Sequence, residues 1–96
     1  MASSIIPSII NLDRRDLFRF CDGLPAPVLA RPVVNATLGR GLTLALDAAG
    51  ERFVLTEDGK PCKFASIDDV MYELDGAPNV DATSLVVDLG NYWKRH

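Results

Sequence analysis

Apolar and polar positions alternate most regularly in the middle of the chain. Leu42, Leu44 and Leu46 alternate with small or polar residues, which predicts a half-buried β-strand. After an Asp-Ala-Ala-Gly turn, the same period continues through Phe53 and Leu55. It predicts a second strand that forms a hairpin with the first.

A second turn follows at residues 57–60 and leads into a third strand. The Asp-Gly pair in this turn supplies the left-handed backbone that tight hairpins require. Cys62 and Phe64 face one side of a short strand, and Pro61 cannot donate to a ladder, so this strand is expected at an edge. The three strands together predict an antiparallel meander.

A helical pattern occupies the segment after the meander. Ser66 and Asp69 fit a capping box in which Asp replaces Glu, and Gly76 supplies the stop. An apolar stripe with helical spacing lies between them, formed by Ile67, Val70, Met71 and Leu74. This predicts an amphipathic helix over 67–75, packed on the sheet. Residues 85–89 predict a last strand.

The first 41 residues carry a weaker pattern. Residues 1–10 are expected to be an extended lead-in, and Asn11 or Asp13 can cap a short helix that Gly23 ends. The expected apolar face of that helix comprises Leu17, Phe18, Cys21 and Leu24. Three prolines in residues 25–32 forbid helix, so 25–41 is expected to be an extended connector, with at most a short edge strand at Val33 and Val34.

These elements predict one α+β domain over residues 1–96. The expected order is an N-terminal helix and a proline-rich connector, then a three-stranded antiparallel meander, an amphipathic helix packed on the sheet, and a final strand. An arm (1–24) and the connector (25–41) precede an α+β core (42–93) and a frayed tail (94–96). Because the patterns of the core are mutually consistent, the fold is expected to survive without residues 1–24.

Catalytic chemistry has little support in the sequence. The single histidine is the terminal His96, so triads and Cys–His dyads lack an ordered imidazole. Cys21 and Cys62 with one histidine do not supply a zinc site, and neither a P-loop nor an EF-hand is present. We therefore expect no enzyme activity, no cofactor and no metal.

The two cysteines and the lack of long apolar runs bear on location. Two distant cysteines are too few for a disulfide framework and are expected to be small core residues in a reducing compartment. No stretch approaches the roughly 20 apolar residues of a membrane span, and the opening residues lack the features of a secretory signal. The expected location is cytoplasmic, without membrane association.

Charge is unevenly distributed along the chain. The net charge is −3, but residues 1–41 carry five arginines against three acids, whereas residues 42–93 carry three bases against ten acids. Phosphate binding therefore falls to the N-terminal arginines, above all Arg14, Arg15 and Arg19. The outward positions of the first two strands offer one arginine, opposed by an aspartate. Nucleic-acid binding accordingly ranks second.

The predicted second helix offers a more specific candidate. Helical spacing places an acidic set around an aromatic residue, opposite the apolar stripe: Asp68, Asp69, Tyr72 and Glu73, which Asp75 extends. A solvated acidic surface is the simpler interpretation, but an exposed aromatic ringed by charge resembles a binding anchor with a polar rim. Tyr92 and Trp93 are a second candidate anchor, with docking on the sheet as the simpler alternative.

Part of the sequence also resembles a known class of proteins. Residues 55–70 (LTEDGKPCKFASIDDV), closed by 85–88 (LVVD), resemble small accessory proteins carried by plasmids and other mobile elements. The resemblance implies a role in partition, stability or host interference that is exercised by binding. It carries over no catalytic residue.

The leading functional expectation is a non-enzymatic adaptor or inhibitor. It would act through the acidic surface around Tyr72 on a protein partner with a basic surface, and nucleic-acid mimicry is one form of this idea. The alternative is a nucleic-acid-binding accessory factor that uses the N-terminal arginines. A third reading is a homodimer in which the basic arm of one subunit packs on the acidic core of another.

Overall fold

Strands from both halves of the chain form one mixed sheet in the computed structural model, which describes residues 8–37, 39 and 41–89. The strands within these ranges are β1 (Ser8–Asp13), β2 (Arg31–Thr37), β3 (Gly41–Ala48), β4 (Glu51–Glu57), β5 (Lys60–Pro61) and β6 (Val86–Asp88). The helices are α1 (Leu17–Asp22) and α2 (Ile67–Leu74), with 3₁₀ turns at Arg14–Asp16 and Ala82–Ser84. The strand order is β1-β4-β3-β2-β6, and β5 pairs with β4. The α+β class is confirmed.

The predicted hairpin is the centre of this sheet. β3 and β4 are antiparallel, with Leu46 opposite Phe53. Ala49 and Gly50 connect them, and both have positive φ, as do Asp58 and Gly59 in the next turn. Left-handed backbone at both central residues matches the right-handed twist of the flanking strands, which explains why the hairpin prediction was correct here.

Two strands occupy segments where the pattern predicted a lead-in and a connector. β1 contains Asn11, one of the two predicted helix caps, and runs parallel to β4. β2 runs through the sheet between β3 and β6, although Pro32 lies within it. β6 pairs with β2 only from Val33 onward, so on that side Pro32 faces no strand and breaks no ladder. Residues 31–37 of the predicted connector therefore form a strand inside the sheet, which is longer than the short edge strand expected at Val33 and Val34.

The third predicted strand is shorter than expected. β5 has two residues, and the chain beyond it bridges the ends of β4 and β3. The Cys62 N–H donates to the Leu55 carbonyl at 3.0 Å, and Phe64 exchanges two backbone hydrogen bonds of 2.8 and 2.9 Å with Leu42. The antiparallel meander is therefore not a separate sheet; it is one part of a mixed sheet that β1 and β6 extend with parallel pairs.

Helix α2 matches its prediction closely. The Ser66 hydroxyl accepts a hydrogen bond of 3.2 Å from the Asp69 N–H, as an N-cap should. The helix ends at Leu74, and Gly76 follows with φ +81°, the left-handed conformation that commonly terminates a helix. Val70 and Leu74 are buried. The outer members of the predicted stripe, Ile67 and Met71, are each 37% exposed, so the buried face is narrower than the pattern suggested.

The N-terminal segment also belongs to the core. Asp13 accepts a hydrogen bond of 2.9 Å from the Arg15 N–H and so caps the 3₁₀ turn that leads into α1. Leu17 and Cys21 of α1 are buried with Leu12 of β1. Both helices bury their apolar side chains in the same cluster, together with Leu44, Leu46 and Leu55 of the central strands. Phe18, predicted on the buried face, is 48% exposed.

This packing reverses the expectation that residues 1–24 are dispensable. Replacing Leu17 by Ala should lower the free energy of unfolding by about 2–5 kcal/mol, because it leaves a cavity in the main cluster. The matched control is Phe18→Ala, which removes a larger but half-exposed side chain and should cost clearly less. Urea denaturation of the two variants measures the difference. Equal, small losses in both would show that α1 does not stabilise the core.

Candidate functional site: the exposed face of helix α2

Helix α2 turns one acidic, aromatic surface to solvent. Val70 and Leu74 anchor its inner side, so positions half a turn away point outward. Tyr72 is 83% exposed there. Asp68, Asp69 and Asp75 are exposed as well. We call Asp68, Asp69, Tyr72 and Asp75 the acidic face.

The carboxylates of the acidic face have no ion-pair partner among the described residues. Outside the acidic face, five carboxylates form a salt bridge with an arginine: Asp13, Asp16, Asp47, Glu57 and Glu73. Asp68 and Asp69 lie in the first turn of α2, where negative charge interacts favourably with the helix dipole. Asp75 lies at the opposite end, where that interaction is unfavourable, so helix stability does not account for it.

Glu73, which the sequence grouped with the acidic face, has a different role. Its side chain is only 17% exposed and accepts a hydrogen bond of 3.2 Å from Arg14 Nε, with a second from Arg14 Nη2. Arg14 Nη1 also contacts Glu57 at 3.3 Å. The hydrogen bond to Glu73 raises the pKa of Arg14 above its usual value. Arg14 therefore ties α2 to the start of the 3₁₀ turn and to the end of β4.

Two further N-terminal arginines, Arg15 and Arg19, are also engaged within the chain. Arg15 binds Asp13 through Nε and Nη2, at 3.1 and 3.2 Å, and Arg19 binds Asp16. Arg52 makes a two-point contact with Asp47 at 2.7 and 2.9 Å, as their opposition in the sequence suggested. Phosphate recognition requires uncompensated positive charge. Arg14, Arg15 and Arg19 instead meet carboxylates of their own chain.

A shallow open cavity of about 470 Å³ lies beside these pairs. It is lined by Asp13, Arg14, Arg15, Glu57 and Asp58. Its lining holds opposed charges and contains no histidine or cysteine. Both thiols, Cys21 and Cys62, are free and buried, and burial raises the pKa of each, which favours the unreactive protonated form.

Phe18 is a surface residue that the sequence pattern misassigned. Its ring packs beside the end of α2, where Cε2 lies 3.5 Å from the position that a Cβ on Gly76 would take. Leu17 and Phe18 are adjacent in the chain, so a 3.6-residue period placed both on the predicted apolar face of the helix. In the structure Leu17 is buried and Phe18 is half exposed. A second aromatic side chain thus lies beside Gly76, the residue that follows Asp75. No periodicity in a six-residue helix could have identified it.

Some predicted candidates lie outside the described residues, and two positions that the strand pattern turned to solvent are buried. Tyr92 and Trp93 lie outside the described residues, as does Arg40. Two of the strand positions expected to face solvent, Ala45 and Thr56, are buried.

Comparisons with known proteins add no relative to this geometry. No family model, curated protein or solved structure matches the chain. The resemblance to accessory proteins of mobile elements stays a prediction. Neither helix in the described part of the chain has the length and apolar character to cross a membrane.

Arg14 and Arg15 provide a matched test of the tie to α2. Arg14→Gln should lower the free energy of unfolding by about 1 kcal/mol, because it leaves the half-buried Glu73 without its partner. Arg15→Gln removes an equal charge from an exposed pair and should lower the melting temperature clearly less. Thermal melting at neutral pH measures both. A larger loss in Arg15→Gln would contradict the role of Arg14.

Acid pH should weaken the fold through two aspartates. Hydrogen bonds from Arg15 lower the pKa of Asp13, and those from Thr83 and Ser84 lower the pKa of Asp81. A carboxyl whose pKa is lower in the folded state than in the unfolded state stabilises the fold at any pH above its unfolded pKa, which is about 4. This stabilisation is lost as the pH falls through the folded-state pKa. Melting temperature should therefore decline below about pH 4. The decline should be shallower in Asp13→Asn, whose amide preserves the cap.

Proposed function

We propose that the protein is a non-enzymatic binding protein, an adaptor or inhibitor, that acts through the acidic face of α2 on a protein partner with a basic surface. One observation carries the proposal. Tyr72 is 83% exposed at the centre of three carboxylates that have no ion pair among the described residues. Tyrosine is enriched among the residues that dominate binding energy, typically within a polar rim.

The rigidity of α2 supports this role. The helix is held at three places. Its start is capped by Ser66, its inner face is buried through Val70 and Leu74, and one side is paired through Glu73 with Arg14. A surface held in this way loses little conformational freedom when a partner binds. Two partly exposed apolar residues lie near this helix: Met71 precedes Tyr72 in the chain, and the Phe18 ring lies beside Gly76.

The charge of the face defines the partner. Unpaired carboxylates attract a basic surface and speed its encounter with the protein, an effect that salt screens. Spaced carboxylates on a rigid helix can also occupy a groove that normally holds phosphates, so nucleic-acid mimicry is one form of the proposal. The resemblance to mobile-element proteins implies that such binding would serve partition, stability or host interference.

Nucleic-acid binding remains the weaker proposal, because Arg14, Arg15 and Arg19, the arginines on which it mainly depends, already bind carboxylates. We expect no complex tighter than about 10 μM with duplex DNA or RNA at physiological salt. Fluorescence anisotropy measures this directly. Nanomolar binding that is abolished by replacing Arg14, Arg15 and Arg19 would reverse the order of the two proposals.

The acidic face can be tested by differential capture. Host proteins are captured on immobilised wild-type protein and on the variants Tyr72→Ala and Asp68→Lys. The true partner should bind the wild type and be lost from both variants. Asp22→Lys is the control, because it makes the same charge change at another exposed aspartate that forms no ion pair among the described residues. Tyr72→Ala should leave the melting temperature nearly unchanged, since surface substitutions usually cost under about 0.5 kcal/mol.

Kinetics with the captured partner then separate the two contributions. Asp68→Lys should mainly slow association, and added salt should shrink the difference, whereas Tyr72→Ala should speed dissociation. Wild-type kinetics for both variants would eliminate the acidic face as the binding surface.

A further inference from the structure

β1 forms an open edge of the sheet in the part of the chain that the structure describes. It pairs in parallel with β4 from Ser8↔Glu51 to Asp13↔Thr56, and no described strand lies on its other side. In a parallel pair, alternate residues direct both backbone N–H and C=O away from the partner strand. Three of the six residues of β1 therefore present donors and acceptors outward.

Most of β1 lacks the usual protections of an edge strand, because its one charged residue, Asp13, lies at its end. Proteins block open edges with proline, charged side chains, bulges or very short strands. Residues 8–12 contain no proline and no charge, and the register with β4 is continuous, so there is no bulge. Ile9, in the middle of this stretch, is 66% exposed. The opposite edge, β6, has only three residues and includes Asp88.

We propose that β1 pairs antiparallel with β1 of a second copy of this chain, which joins the two sheets edge to edge in a two-fold dimer. A two-fold axis perpendicular to the sheet keeps both helical layers on the same side. Residues that lie directly opposite each other in the two copies must then point to the same face of the joined sheet. A register with Ile10 opposite Ile10 of the second copy, and Ile9 opposite its Asn11, meets this condition. The pair is apolar or uncharged along this central stretch.

Charge favours a second copy as the occupant of this edge. Each chain carries a net charge of −3, so most surfaces of two copies repel one another. The segment from β1 through α1, residues 8–22, is neutral: three arginines balance three aspartates, and Arg15–Asp13 and Arg19–Asp16 are paired within it. In the proposed register the two Asp13 residues lie six positions apart along the strands, about 20 Å. The dimer therefore forms at a neutral edge.

The dimer differs from the arrangement expected from charge asymmetry, in which a basic arm packs on an acidic core. It is also independent of the acidic face, which lies on α2 and takes no part in the edge. A failure of either proposal leaves the other intact, because Tyr72→Ala should not change the oligomeric state.

The test is the mass of the full chain in solution as a function of concentration. Sedimentation equilibrium of wild type between about 1 μM and 1 mM should show a monomer–dimer equilibrium, with a limiting mass twice the 10.4 kDa of one chain. Ile9→Lys should weaken dimerisation about tenfold, because it places two like charges on residues that are diagonal neighbours across the pair, roughly 7–8 Å apart at the backbone. The control, Leu29→Lys, adds the same charge at a half-exposed apolar residue outside the sheet and should dimerise as wild type.

Hydrogen exchange gives a second readout at the edge itself. Amides of β1 that point away from β4 should exchange more slowly as wild-type concentration rises, and Ile9→Lys should remove this dependence. Equal melting temperatures of dilute wild type and Ile9→Lys establish that the variant is folded. A mass of one chain at about 1 mM would overturn the proposal. A dimer that Ile9→Lys leaves intact would overturn it as well.

Discussion

The parallel pairing of β1 with β4 is the interaction on which the rest of the molecule depends. Its register places Leu12 beside Leu55, and so joins the N-terminal segment to the central leucines of the core. It also places Asp13 opposite Thr56, which brings Arg14 within reach of Glu57 and Glu73. Through the Arg14–Glu73 pair, this pairing also links the N-terminal segment to α2, whose Val70 and Leu74 lie in the same core.

The ion pairs that hold these elements also determine the surface charge. A chain with ten basic and thirteen acidic residues could spread its charge evenly. Instead, four described arginines are committed to carboxylates near the N-terminal segment and the central hairpin. The excess negative charge is left elsewhere, and three of its aspartates surround Tyr72 on α2. A neutral edge and an acidic helix on one small domain favour two different contacts, one with a second copy and one with a basic partner.

The elements predicted correctly are those governed by local interactions. The β3–β4 hairpin follows from alternation and from a two-residue turn with left-handed backbone, and α2 follows from the Ser66 cap, a 3.6-residue stripe and Gly76. Each of these signals lies within about ten residues of the structure it forms. The exposed positions of Tyr72, Asp68, Asp69 and Asp75 follow from the same local geometry, because the buried side of a short helix defines its outer side.

The sequence by itself determined the α+β class, the central hairpin, helix α2 and most of its outward surface. Only the tertiary structure decided that β1 and β2 are strands, that Leu17 is buried while Phe18 is exposed, and that Glu73 belongs to Arg14. These features arise between segments as much as 59 positions apart. Two kinds of feature leave no periodic pattern in the sequence around them: a strand that gains its hydrogen bonds from a distant partner, and a carboxylate neutralised by an arginine from another element. The energy that stabilises them comes from contacts that exist only after the chain has folded.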